Sequence, residues 1–202
     1  MTTQMPKAFQ DRYPDDVAHC YGCGRLNPHG HHLKTHWDGE ETVTRFTPRP
    51  YHTAIPGCVY GGLIASLVDC HGTGTAAAAA ERAGHRGAGR EDRPGEMPRF
   101  VTASLQVDYL RPTPLGPELE IRGRAKEVTE RKVVVEARVL ANDQVTARGI
   151  VVAVRMPEGM AARDPESRGR RSSATNGFRR PPDDSSARGR GRSRGRSRSR
   201  RG

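Results

Sequence analysis

A glycine pair followed by a carboxylate eight residues later is the arrangement in this sequence that could carry chemistry. The segment Val59–Gly72 reads VYGGLIASLVDCHG, a run of aliphatic residues that contains one acid, Asp69. An unpaired carboxylate is unfavourable in apolar surroundings, so its position suggests a function. Gly61 and Gly62 leave the backbone N–H groups at the start of the segment uncovered, and such donors at a helix N-terminus can bind an oxyanion.

The segment and the alanine-rich stretch after it predict one long helix that ends near Ala83. Positions four apart, namely Gly61, Ala65, Asp69 and Thr73, share one stripe of this helix. Along the helix Asp69 lies about 12 Å from Gly61, which is too far for both to hold one reacting group. If two copies pack with antiparallel helices, the acid of one faces the glycine turn of the other. The alternative is that the small residues only pack against a sheet and that Asp69 is a structural or exposed acid.

The remaining body of the chain is predicted as strands. Residues 33–47 suit two short strands with a turn at Asp38-Gly39. A Gly/Arg/Pro-rich loop over 84–98 follows the helix. Alternating apolar residues then predict four strands in meander order, with a turn at Asn142-Asp143: FVTASLQVDYL, ELEIRGRAKEV, KVVVEARVLA and QVTARGIVVAVR. This is an α+β fold, with a curved antiparallel sheet of about six strands around one long helix.

The chain divides by composition into three parts. Residues 1–27 are predicted as an irregular N-terminal segment, residues 28–157 as the α+β domain, and residues 158–202 as a disordered Arg/Ser/Gly-rich tail.

The net charge of +11 is concentrated in the tail. Residues 163–202 hold 14 arginines, no lysine and 4 acids, so the totals of 34 basic and 23 acidic residues leave 20 and 19 for residues 1–162. Because residues 1–162 are nearly neutral, the positive net charge of the chain does not indicate a nucleic-acid-binding fold. The tail alone can neutralise phosphates, which leaves a nucleic-acid tether as one alternative function.

The sequence predicts a cytoplasmic location without membrane contact. No run reaches the roughly 18 apolar residues of a membrane-spanning helix, and the first 20 residues lack the apolar core of a signal peptide. In that compartment we expect the four cysteines to be free thiols.

Three spaced motifs resemble those of the hotdog-fold thioesterases of the PaaI and THEM types. The run PGCVYGGLIASLVDC resembles their central-helix motif of Pro-Gly, two residues, His-Gly-Gly, six residues and Asp. The run CYGCGRLNPHGHHLK resembles their opening Cys-x-x-Cys-Gly, Asn-Pro and Gly-x-x-Leu pattern. The run FVTASLQVDYLRPTPLG resembles the strand after the helix, with its Tyr-x-Arg-Pro ending. The resemblance covers Cys20 to Arg155 and implies a hotdog fold that assembles at least as a dimer.

The resemblance also implies an acyl-CoA thioesterase, which hydrolyses an acyl thioester to a free acid and coenzyme A at a dimer-interface site of a homodimer or homotetramer. Asp69 is then the catalytic carboxylate, as general base on water or as nucleophile. The Gly61 backbone N–H polarises the thioester carbonyl, and Thr102 helps to orient the attacking water. We expect no cofactor and no metal.

Two residues depart from the family pattern. Tyr60 stands where the family has His, and Ala54 stands near an Asn or Gln that assists the thioester in many members. We expect Tyr60, Gly62 and His52 to contact substrate, with His52 a candidate for the missing assistance. The departures keep a non-catalytic acyl-CoA-binding hotdog protein as a second alternative.

Three further features are candidates. Arg111, after the third motif, could bind a coenzyme A phosphate or be a solvated surface arginine. His71 is a polar candidate on another face of the helix. A zinc site could be built from Cys20-x-x-Cys23 and the histidines after it, His29, His31, His32 and His36. Because no second cysteine pair is present, we expect a metal-free turn there, with Cys58 and Cys70 packing as small hydrophobic residues.

Overall fold

The computed structural model describes residues 7–84, 97–157, 159 and 160. Two short 3-10 helices, Phe9–Arg12 and Asp15–Val17, precede the regular elements. These elements are β1 Thr35–Asp38, β2 Glu41–Phe46, α1 Gly61–Arg82, β3 Phe100–Tyr109, β4 Leu119–Val128, β5 Lys132–Ala141 and β6 Gln144–Arg155. The loop over 85–96 and the tail predicted to be disordered, apart from residues 159 and 160, lie outside the described residues.

The six strands form one antiparallel sheet in the order β1-β2-β4-β5-β6-β3. One long helix packs against this sheet, which confirms the predicted hotdog type of α+β fold. The predicted turns also form. Gly39 has a φ of 61° between β1 and β2, and Asn142 and Asp143 have φ values of 50° and 62° between β5 and β6. A two-residue hairpin turn of this kind requires positive φ at both positions.

The predicted meander order is wrong for β3. Of the four strands after the helix, only β4, β5 and β6 are neighbours in chain order. The first of the four, β3, instead pairs with β6 at the edge of the sheet. Alternation along a strand decides which side chains share a face. It does not decide which strand lies alongside, because that depends on long-range packing.

The helix α1 is surrounded by protein over its second half. Every residue from Cys70 to Ala80 is buried, as expected of a helix without a charged face. The first half keeps a partly exposed stripe that contains Gly61, Ala65 and Asp69 at the predicted spacing of four. Thr73, the fourth residue of the predicted stripe, is buried. The acid therefore lies where the helix emerges from the core.

The hydrophobic core lies between α1 and the inner face of the sheet. Its helix and sheet members include Leu63, Ile64, Leu67, Val68, Leu119, Ile121, Val133, Val135, Val139 and Val151. Burial of each such side chain contributes about 1.5–3 kcal/mol to folding. Phe9 and Tyr13, from the segment predicted as irregular, belong to the same core. That segment therefore packs directly against the domain.

Among the described residues, no helix has the length and apolar character needed to cross a membrane.

Candidate active site

Asp69 and Thr102 meet where the exposed stripe of α1 faces β3. The Thr102 hydroxyl donates a hydrogen bond to Oδ1 of Asp69. Burial raises the pKa of the Asp69 carboxyl, and the bond from Thr102 opposes this effect because it stabilises the ionised form. Since Oδ1 is held by Thr102, Oδ2 is the oxygen that can act on a bound water or substrate. A partly desolvated carboxylate with one oxygen fixed is suited to general-base or nucleophilic chemistry.

The glycine pair begins α1. Tyr60 is the N-cap residue, and its carbonyl accepts hydrogen bonds from the N–H groups of Leu63 and Ile64 at 3.0 and 3.3 Å. The first N–H groups of a helix have no acceptor within the helix. Those of Gly61 and Gly62 are therefore the donors that this end of the helix offers to an anion or a carbonyl oxygen.

The Tyr60 ring lies over Gly62. A Cβ atom at Gly62 would be 2.4 Å from Cε1 of Tyr60, so glycine is needed for the ring to occupy this place. The ring remains 56% exposed. Tyrosine at the family's histidine position therefore covers one side of the glycine turn.

Tyr109, which was not predicted as a site residue, covers another side of the turn. Its hydroxyl donates a hydrogen bond to the Gly61 carbonyl at 2.8 Å, and its ring lies 3.5 Å from the Cβ position of Gly61. The signal for this contact was the tyrosine that opens the Tyr-x-Arg-Pro ending of the third motif. Spacing alone did not indicate that β3 returns to the start of α1.

His52 contacts the turn through its main chain. Its carbonyl accepts a hydrogen bond from the Tyr60 N–H at 2.9 Å. Its imidazole accepts one from the Arg49 N–H at 3.1 Å and packs against the rings of Phe46, His31 and Tyr51. Burial lowers the pKa of His52, which favours the neutral ring. The side chain is thus engaged in packing rather than directed at Gly61 or Asp69.

Arg111 and His71 are placed differently from the other candidates. Arg111 lies two residues beyond Tyr109 on the surface, where its Nη1 group donates a hydrogen bond to Oε1 of Gln144 at 3.2 Å.

His71 is fully buried, with Nδ1 2.9 Å from the Thr44 hydroxyl, and burial lowers its pKa to about 3. His71 is therefore a neutral member of the core.

Residues 56–148 match the family described as the thioesterase superfamily, and this range includes the glycine turn, Asp69 and Thr102. A thioesterase superfamily protein from Shewanella loihica PV-4, of known crystal structure, is 52% identical. The match covers 71% of this chain and 98% of that chain, with a TM-score of 0.53. The chain belongs to the thioesterase superfamily, which confirms the resemblance seen in its motifs.

Two other proteins are also similar. Acyl-coenzyme A thioesterase THEM4 of Xenopus laevis is 33% identical over 101 residues, which is 50% of this chain and 38% of that protein. The chain thus spans well under half the length of this curated relative. The structure of the E. coli PaaI protein is 14% identical, with a TM-score of 0.49 over 63% of this chain and 81% of that chain. The identity and the TM-score with PaaI are too low to support an argument about function.

Proposed function

We propose that this chain is an acyl-CoA thioesterase whose active site is shared between two subunits. The observation that carries the proposal is the Asp69 carboxylate, held by Thr102 on the partly exposed stripe of α1. The substrate class is taken from the name of the THEM4 relative, an acyl-coenzyme A thioesterase. Membership of the thioesterase superfamily supports thioester hydrolysis as the reaction.

In the proposed reaction, the thioester carbonyl oxygen accepts hydrogen bonds from the backbone N–H groups of Gly61 and Gly62 in one subunit. The positive end of the helix dipole stabilises the oxyanion that forms when the carbonyl carbon becomes tetrahedral. Asp69 of the other subunit removes a proton from water as the water oxygen attacks that carbon. Cleavage of the C–S bond releases coenzyme A as a thiolate, which takes up the proton, and the free acid leaves.

A nucleophilic role for Asp69 uses the same geometry. Its Oδ2 would attack the carbonyl carbon and expel the coenzyme A thiolate, and water would then hydrolyse the mixed anhydride. In both versions Thr102 keeps the carboxylate ionised and fixes its orientation.

The exposed surface of β3 supports assembly with a second copy. This strand lies at the edge of the sheet and presents apolar side chains to solvent, with Leu105 38% exposed and Tyr109 54% exposed. An open edge strand with exposed apolar residues is a pairing surface. Pairing of β3 with its own copy about a two-fold axis would continue the sheet and set the two α1 helices antiparallel. Asp69 of one helix would then face Gly61 of the other.

The proposal is tested by release of free thiol from a panel of short, long and aromatic acyl-CoA esters. We expect turnover of at least one ester, and we expect Asp69→Asn to lower kcat by about 100-fold to 10,000-fold. Asp143→Asn is the matched control, because Asp143 is an exposed acid in the β5–β6 turn at a positive φ that asparagine accepts. Equal activity of Asp69→Asn and wild type would disprove the mechanism.

A non-catalytic acyl-CoA-binding protein is the second candidate, and the Tyr60 ring over the glycine turn favours it. Tight binding of an acyl-CoA without turnover of any ester in the panel would establish it.

The nucleic-acid tether through residues 163–202 stays a prediction on residues outside those described. Deletion of the tail should abolish salt-sensitive nucleic-acid binding if the tether exists. The cytoplasmic location also stays a prediction.

A further inference from the structure

Three thiols lie together beside the candidate active site. The sulfur atoms of Cys20, Cys23 and Cys70 are all within 4.8 Å of one another, and those of Cys20 and Cys70 are 3.7 Å apart. All three are free cysteines. Cys23 and Cys70 are buried and Cys20 is partly exposed. The cluster connects the segment before β1 to α1 at the residue next to Asp69.

The spacing of the sulfur atoms suits a tetrahedral metal ion. Thiolates that bind zinc at about 2.3 Å lie about 3.8 Å apart along each edge of the tetrahedron. The separation of 3.7 Å between Cys20 and Cys70 matches this edge. The other two sulfur–sulfur distances are at most 4.8 Å, which is only about 1 Å longer than the tetrahedral edge. Small side-chain rotations would therefore bring all three sulfurs to one ion.

Thiolates are the form of cysteine that binds metals. The Cys20 and Cys70 sulfur atoms already lie within hydrogen-bonding distance of each other. A bound cation would replace the S–H proton that these two sulfur atoms share.

The Cys-x-Gly-Cys-Gly turn leaves no room for a Cβ atom at either of its two glycines. A Cβ atom at Gly22 would be 2.3 Å from the Cys70 sulfur, and one at Gly24 would be 2.4 Å from the Cys20 backbone nitrogen. The turn therefore folds so tightly that its backbone contacts the third thiol. Such a turn holds the backbone between Cys20 and Cys23 against the Cys70 sulfur before an ion binds.

Arg99 provides a compensating charge. Its guanidinium lies 4.5 Å from the centroid of the Tyr13 ring, and Tyr13 packs in the same core cluster as Cys23 and Cys70. Its Nη1 group is buried and, among the described residues, has no hydrogen-bond partner. A zinc ion bound by three thiolates carries a net charge of −1, which the arginine would balance.

We propose that Cys20, Cys23 and Cys70 bind one zinc ion, with a fourth position on the exposed side of Cys20 for water. Zinc is preferred because soft thiolates select it and because a tetrahedral arrangement suits it. The ion tethers the N-terminal segment to α1 beside Asp69. The sequence predicted a metal-free turn because it has no second cysteine pair. Cys70, the proposed third ligand, lies far along the chain from the Cys-x-x-Cys pair.

The test is metal analysis of the purified full chain, prepared with a reductant and without chelator. We expect about one zinc per chain in the wild type, and less than about one tenth of that in Cys20→Ser. Cys58→Ser is the matched control, because Cys58 is a partly exposed free cysteine outside the cluster, and it should keep its zinc. Replacement of zinc by cobalt should give a thiolate-to-cobalt charge-transfer absorption that Cys20→Ser loses and Cys58→Ser retains.

A second variant tests whether zinc loss in Cys20→Ser reflects a missing ligand or a failure to fold. Gly22→Ala keeps all three thiols but places a methyl group against the Cys70 sulfur, so it should weaken zinc binding at least tenfold in a chelator competition. A wild type that binds neither zinc nor cobalt, or that forms a disulfide within the cluster in the presence of reductant, would overturn the proposal. Equal metal loss in Cys58→Ser would also overturn it.

The zinc proposal is independent of the proposed thioesterase activity. Asp69→Asn should retain about one zinc per chain, because Asp69 is not a ligand. Loss of zinc in this variant would contradict the three-thiol assignment. Absence of turnover in the ester panel would leave the metal result unaffected.

Discussion

Replacing Thr102 with valine should move the acid limb of the pH–rate profile to higher pH. The Thr102 hydroxyl stabilises ionised Asp69, so its removal raises the pKa of this carboxyl further above the ordinary value. A hydrogen bond to a buried charge contributes about 1.5–3 kcal/mol. Because Thr102 is exposed and Asp69 is only partly buried, we reduce this to about 1 kcal/mol for solvent screening.

A loss of about 1 kcal/mol corresponds to a displacement of the acid limb by roughly 0.7 pH unit. The active base is the ionised form, so activity is lost as pH falls through the pKa, and the valine variant loses it at a higher pH. The assay is kcat/KM against pH, which reports the groups of the free enzyme. Thr102→Ser retains the hydroxyl and should follow the wild type. Coincident acid limbs for the valine and serine variants would refute the role given to Thr102.

Three further changes have defined outcomes. Gly62→Ala should displace the flexible Tyr60 ring, changing kcat/KM several-fold while shifting Tm by less than about 4 °C. Burial lowers the pKa of His71 to about 3, so the free energy of unfolding should fall by up to about 1.4 kcal/mol per pH unit as pH drops below 6.5. In urea unfolding at several pH values, His71→Gln should show a smaller dependence of this free energy on pH. Tyr109→Phe removes the bond to the Gly61 carbonyl and should lower stability by about 1 kcal/mol in urea unfolding.

The elements of the fold that depend on local chemistry were predicted from the sequence. The alanine-rich stretch placed the end of α1 near Ala83, and the helix ends one residue earlier, at Arg82. Positive φ at Gly39 and in the Asn142-Asp143 turn follows from the residues found there. Gly61 and Asp69 share one stripe of α1 because a spacing of four keeps these residues on one face.

The contacts that depend on distant parts of the chain were not predicted from spacing. Pairing of β3 with β6 decides that Tyr109 returns to the start of α1, and alternation within β3 contains no information on its neighbour. The family resemblance alone suggested that Thr102 belongs to the site, where it was expected to orient the attacking water. Its hydrogen bond to Asp69 was not predicted. Cys70 was assigned to packing because its approach to Cys20 depends on how the N-terminal segment lies across the helix.

The shared site is tested most directly by combining two defective subunits. Gly61→Pro removes one of the two proposed donors while keeping the helix, because proline is tolerated at the first helical position and Tyr60 before it is extended. Gly61→Ala keeps the donor, makes only ordinary contact with Tyr109, and should remain active.

Heterodimers of Gly61→Pro and Asp69→Asn, isolated through two different tags, contain one intact site if each site uses both subunits. They should then regain about half of the wild-type activity per dimer, although each parent retains only a small fraction of it. Heterodimers as inactive as their parents would contradict a site shared between Asp69 of one subunit and Gly61 of the other.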